Sequence, residues 1–233
     1  MIPIHDDNPT QLTPLVTYGL IAACVLVFLW QLSFDPQGQQ AVIYALGAIP
    51  AVLFGQAELA PELAWIPGPV TPVTSMFLHG GWMHLIGNML YLWVFGNNVE
   101  DAMGHVRYPV FYGICGLAAV LAQALPDVHS EIPMIGASGA VSGVLGAYLL
   151  LHPRARVLVV VPIGFVLQTL RLPALWILGF WFVMQLVSTL LSFGEEGGGV
   201  AFRAHLGGFV AGMLLIPIFK RAEVPLENPF RGG

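Results

Sequence analysis

Charge is what this chain has least of. Aspartate, glutamate, lysine and arginine make up 9% of its 233 residues, while 57% are hydrophobic. Soluble domains carry about 25% charged residues, so a water-soluble globule with a large core is excluded. Only eight residues are Lys or Arg, and none precedes Arg107. That excludes the basic footprint of a nucleic-acid-binding protein. The two cysteines, Cys24 and Cys115, both sit inside apolar runs, which argues against a disulfide framework. The opening MIPIHDDNPTQLTP is acidic and has no Lys or Arg, so it reads as neither a secretory signal nor a mitochondrial transit peptide.

What the sequence does have is apolar runs. A helix crossing the hydrocarbon core needs roughly 20 apolar residues. Six stretches come close: 15–32, 82–98, 108–125, 136–151, 173–192 and 202–219. The second, fourth and sixth are short or carry polar residues, and polarity inside a span points to function because desolvation is costly. A seventh run, 157–170 (VLVVVPIGFVLQTL), is interrupted by Pro162 and bracketed by Arg156 and Arg171. As a helix it would reach only ~21 Å, short of the ~30 Å core. It reads as an interfacial or re-entrant segment.

The distribution of positive charge supports six spans. With the N-terminus cytoplasmic, Arg107, Arg154, Arg156, Arg171, Lys220, Arg221 and Arg231 all fall inside, and only Arg203 falls outside. The expected organisation is a short cytoplasmic tail at 1–14, one six-span membrane domain at 15–220 and a cytoplasmic tail at 221–233. The fold class is an all-α membrane protein. Residues 33–81 form a long first external loop, whose apolar part, 41–55, is expected to lie in the outer interface.

Spans two, four and six then run in the same direction, and their outer ends carry the polar residues. Span two opens WMHLIGNML, with His84 and Asn88 four residues apart on one helical face. Span four opens GASGAVSG, with Ser138 in its first turn. Span six opens FRAHLGGFVAG, with His205 near its start. Gly139 and Gly143 follow the serine, and Gly208 and Gly212 follow the histidine. Small-xxx-small pairs of this kind let membrane helices approach closely.

The chemistry follows from these residue types. A serine hydroxyl becomes nucleophilic when a neighbouring base takes its proton. His205 can do so and then protonate a leaving amine. The developing oxyanion needs preorganised donors. Asn88, His84 and the unpaired N–H groups at the start of span four can supply them. No Asp or Glu lies in any of the six stretches, so the expectation is a Ser–His dyad rather than a triad. His79 is read as a loop residue or one lining the entrance, in a secondary role, and His129 as a solvated loop residue. Asn97, Asn98, Glu100 and Asp101 are expected to close span two at the cytoplasmic side.

The stretches HGGWMHLIGNMLYLWVFGNNVED at 79–101, GASGAVSG at 136–143 and AHLGGFVAG at 204–212 resemble the rhomboid family of intramembrane serine proteases. The resemblance covers roughly residues 70–220. It implies a serine endopeptidase with Ser138 as nucleophile and His205 as general base. It also implies that His84 and Asn88 hold the oxyanion, and that a transmembrane protein substrate enters laterally from the lipid bilayer and is cut near the outer face. No cofactor or metal is implied. A multi-pass protein of the bacterial plasma membrane with both termini cytoplasmic is the expected setting.

Two positions depart from the family pattern. Many members have an aromatic residue four after the serine, packed on the histidine. Here Ser142 stands there, so His205 is expected to be oriented differently, through a hydrogen bond. Many members also carry a Trp–Arg pair in the first loop, whereas here Trp65 precedes Ile66. The resemblance therefore does not carry the anchoring of that loop.

Competing readings fare less well. A channel or transporter would line a path with paired ionisable groups, whereas here polarity gathers at one end. A metal site on His79, His84 and His205 lacks an HExxH pair and any carboxylate within the spans. An aspartyl intramembrane protease lacks its aspartate. A catalytically dead relative would be expected to lose one of Ser138, His205, His84 or Asn88.

Overall fold

A computed structural model describes residues 1–163, 166–191 and 202–226. The chain opens with strand β1 (Ile2–Asp6) and helix α1 (Leu15–Leu32). The short helices α2 (Pro36–Leu46), α3 (Pro50–Leu53) and α4 (Thr71–Thr74) follow, then the long helices α5 (Trp82–Met103), α6 (Arg107–Ala124) and α7 (Ser138–Leu151). Strands β2 (Arg156–Ile163) and β3 (Val166–Pro173) lead into α8 (Ala174–Leu191) and α9 (Phe202–Phe219). The six long helices occupy the six apolar stretches read from the sequence. Residue 192, at the end of the fifth expected stretch, and Arg231 lie outside the described residues.

By length and composition, α1, α8 and α9 are each able to cross a membrane. α7 is equally apolar but has only 14 residues, or ~21 Å of helix. α5 is longer than expected and runs past residue 98 to Met103. It carries Glu100 into the core, fully buried. There the carboxylate accepts from Val16 N at 2.9 Å, Thr17 N at 2.8 Å and Thr17 Oγ1 at 2.7 Å. α1 has no capping side chain of its own. Glu100 therefore satisfies its orphan N–H groups and places negative charge at the positive end of its dipole.

The described residues of the segment 157–170, read as interfacial or re-entrant, form two paired strands instead of a helix. β2 pairs antiparallel with β3, and β1 pairs antiparallel with β2. The helical bundle thus carries a small three-stranded sheet in addition to the expected all-α architecture. The physical reason lies in the VLVVV run: β-branched side chains favour strands, and Val157 and Val159 alternate inward to join the core. Asp6 of β1 accepts from Tyr148 Oη at 2.6 Å and from Asn98 Nδ2 at 2.9 Å. These contacts fix the sheet beneath the C-terminal ends of α5 and α7. Burial raises the carboxyl pKa of Asp6 above its ordinary value, against the opposing effect of the Tyr148 hydrogen bond.

The first loop has a packed structure of its own. Val42, Ala45, Ala48, Ile49 and Ala51 are buried. Ala48 and Met134 exchange two backbone hydrogen bonds, at 3.0 and 2.8 Å, and Ala51 N donates to Ser130 O at 2.9 Å. Trp65 is half exposed and bonds only locally, to Glu62 O. Backbone pairing with the loop ahead of α7 thus anchors this region without a Trp–Arg pair.

Candidate active site

The site is assembled where α5, α7 and α9 begin. The pairing of α7 with α9 depends on glycine. A Cβ at Gly208 would overlap the carbonyl of Gly139, and one at Gly212 would overlap that of Gly143. The two backbones are therefore in direct contact, as small-residue packing permits. Gly139 and Gly143 also press on Ala119 and Cys115 of α6, which packs against both α7 and α9. At the opposite end of the bundle Arg221 N donates to Ala102 O at 2.8 Å, so α9 and α5 also finish together. The three helices run parallel.

Ser138 opens α7 and is half-buried. The helix start has no capping side chain, so its first N–H groups stay available. Ser138, Gly136, Gly139 and Ala204 line one cavity of about 30 Å³, enough for a water molecule. Ala204 immediately precedes His205, and its N–H donates to Gln123 Oε1 at 3.3 Å, which tethers the start of α9 to α6.

Gly136 brings α5 into the site. Its φ is +118°, and a Cβ there would lie 2.7 Å from both Cε1 and Nε2 of His84 and 3.8 Å from Asn88 Nδ2. The imidazole therefore occupies the space a side chain would need, two residues before the serine. Gly80 N donates to His84 Nδ1 at 3.4 Å, so the proton sits on Nε2, the edge that faces Gly136. Asn88 is buried, and its Nδ2 has no partner among the described residues. Two donors thus converge beside the start of α7.

His79 is more enclosed than an entrance residue would be, with 2% of its surface exposed. Its ring meets His84 edge to face at 5.2 Å between centroids. Its backbone is clamped by Gln31 of α1, whose Oε1 accepts from His79 N at 3.1 Å and whose Nε2 donates to His79 O at 3.4 Å. Burial, with the nearby charge of His84, pushes its pKa down to about 4. His129 lies in the exposed loop ahead of α7, where its N–H donates to Asp127 Oδ1.

His205 is half-buried on the first turns of α9. No hydrogen bond joins it to Ser138 among the described residues. Instead Nδ1 faces Gln185 Oε1 of α8 at 2.7 Å, and the Trp181 ring lies 5.9 Å from the imidazole, tilted by 37°. Ser142 is not involved: its hydroxyl donates back to Ser138 O at 2.6 Å. Sequence reading did not single out Gln185, Trp181, Gln123 or Gln31. The departure at Ser142 was the one signal that His205 is held by other means.

Apolar helices, three of them long enough to cross a membrane, surround this polar cluster and define a membrane-embedded helical bundle. Residues 69–222 match the Rhomboid domain, and the chain belongs to the rhomboid family. It is 31% identical over 200 residues to "Rhomboid protease GluP" of Bacillus subtilis (strain 168), covering 85% of this chain and 34% of that protein. It is 28% identical over 195 residues to "Rhomboid protein 1, mitochondrial" of Saccharomyces cerevisiae, covering 74% and 51% respectively. "RHOMBOID-like protein 5" of Arabidopsis thaliana is 40% identical over 77 residues, or 33% of this chain and 25% of that protein. The chain thus spans between a quarter and about half of the length of these relatives.

Proposed function

We propose that this protein is an intramembrane serine endopeptidase that cleaves transmembrane protein substrates with a Ser138–His205 dyad. The observation that carries the reading is the close approach of α5, α7 and α9 at their N-terminal ends. That approach sets His84 and the unpaired Asn88 amide of α5 beside Gly136, two residues before Ser138, and Ser138 shares a small cavity with Ala204, the neighbour of His205.

In this mechanism His205 Nε2 takes the proton of Ser138 Oγ as the oxygen attacks a peptide carbonyl. The carbonyl oxygen becomes an oxyanion, received by Asn88 Nδ2, His84 Nε2–H and the free N–H groups at the start of α7. His205 then passes its proton to the departing amine, leaving an acyl-enzyme on Ser138. A water molecule, deprotonated by the same imidazole, hydrolyses that ester and restores the serine. The shortness of α7 serves this chemistry: ~21 Å of helix in a ~30 Å core sets one end below the membrane surface. Ser138 then lies within the bilayer boundary yet within reach of water.

The proposed orientation places both termini in the cytoplasm and the site toward the outer leaflet. The charge distribution supports it, since Arg107, Arg154, Arg156, Arg171, Lys220 and Arg221 share one side. The proposed setting is a bacterial plasma membrane. The compact six-helix form and the similarity to the Bacillus relative over most of this chain support that setting. Labelling with a fluorophosphonate serine probe tests the nucleophile: the wild-type protein is expected to label and Ser138→Ala is not. Equal labelling of the two contradicts the assignment.

A further inference from the structure

The geometry points to Gln185 of α8 as the positioning residue for His205, taking over the task that an aromatic side chain four residues after the serine performs elsewhere in the family. The inference rests on the proposed Ser138–His205 dyad and adds a third, neutral member supplied by a different helix. Three observations carry it.

The first is the contact itself. Gln185 Oε1 and His205 Nδ1 are 2.7 Å apart. An amide oxygen only accepts, so Nδ1 must carry the proton. That fixes the tautomer and leaves the Nε2 lone pair as the basic site, the form a general base needs. The second is what stands at the family's usual position. Ser142 is 1% exposed, and its hydroxyl is committed to Ser138 O at 2.6 Å, so it gives the imidazole no support. The third is Trp181, one helical turn before Gln185 on the same face of α8. Its ring meets both His205, at 5.9 Å, and Phe209, at 5.8 Å. Trp181 limits the tilt of the imidazole, and Gln185 sets its rotation and its proton.

The electrostatic surroundings make the role visible. Among the described residues, His84 on α5 is a titratable group whose charge reaches His205, and Arg203 lies two residues before it on α9. α8 contains no ionisable residue, and the only one in α7 is Tyr148, near its far end. α6 faces α9 here with Ala118, Ala119 and Ala122. Among the described residues no carboxylate lies beside the ring, and a neutral partner orients the imidazole without strongly favouring its protonated form. A charged partner at 185 would favour that form.

The test uses the full chain in liposomes with a model transmembrane substrate. It compares wild type, Gln185→Met, Gln185→Glu and Ser138→Ala by kcat, KM, pH profile and melting temperature. A positioned general base contributes about 10²–10⁴-fold to the rate. Gln185→Met is expected to lose part of that in kcat, at least about tenfold, with KM and melting temperature unchanged. Gln185→Glu keeps an acceptor at the same place, so it is expected to recover most of kcat. Its acidic limb should move to higher pH, a displacement that a merely structural side chain would not produce. Wild-type kcat in Gln185→Met, or an unmoved limb in an active Gln185→Glu, overturns the inference while an inactive Ser138→Ala leaves the dyad standing. Full activity in Ser138→Ala overturns both.

Discussion

Gly136 and His84 share a space that holds only one of them plus a hydrogen atom. A Cβ on Gly136 would lie 2.7 Å from His84 Nε2 and Cε1, and the backbone there has a φ of +118°. Few L side chains adopt that conformation, and the ring could clear the methyl only by leaving its place beside the serine. Gly136→Ala is therefore expected to abolish cleavage with the fold largely retained. Circular dichroism alongside a cleavage assay checks this. An active, folded Gly136→Ala would show that the position of His84 is immaterial.

Asn88 holds a buried amide whose Nδ2 has no partner among the described residues, and it is the proposed oxyanion donor. Removing a single oxyanion donor costs about 10²–10³-fold in kcat, and here His84 Nε2–H and the α7 backbone remain. Asn88→Ala is expected to lower kcat by about that factor without abolishing it. Because Nδ2 is unbonded in the resting protein, stability should change little. Steady-state kinetics and a melting curve on the same preparation decide the point.

Gly212 meets Gly143 backbone to backbone. Any side chain there must push α9 away from α7. Gly212→Leu is expected to destabilise the protein by more than the ~1–3 kcal/mol typical of overpacking, since backbone rather than a flexible side chain blocks it. It should also separate Ser138 from His205 and abolish activity. Denaturant titration in detergent measures the first effect and probe labelling the second.

His79 supplies a pH dependence. Its ordinary value of 6.5 falls to about 4 in the folded protein, chiefly through burial. The unfolded chain therefore binds more protons between those two values, so stability rises with pH across that window and is lost as pH falls through it. The melting temperature is expected to drop on acidification from 6.5 towards 4. An apolar replacement, His79→Leu, should flatten that part of the curve. An unchanged slope in the variant would remove His79 as the cause.

The sequence disclosed the six long helices because hydrophobic runs near membrane length are a strong signal. It also disclosed the polar residues at their starts, because polarity inside such runs stands out. The strand pair β2–β3 was not legible. A short apolar run with β-branched residues suits a strand and a buried segment alike, and its partner β1 lies about 150 residues away. Gln185 was missed for the opposite reason: one neutral side chain in an apolar helix has no pattern around it. Glu100 was read as marking a helix end, but it lies inside α5 and caps α1 across the bundle. A contact spanning 83 residues leaves no local trace.

The account stands on a hydroxyl and an imidazole that act together. Its most direct measurement is turnover of a transmembrane substrate in liposomes by Ser138→Ala and by His205→Ala. Both variants are expected to be folded and to leave the substrate intact. Cleavage at the wild-type rate by either one would contradict the mechanism.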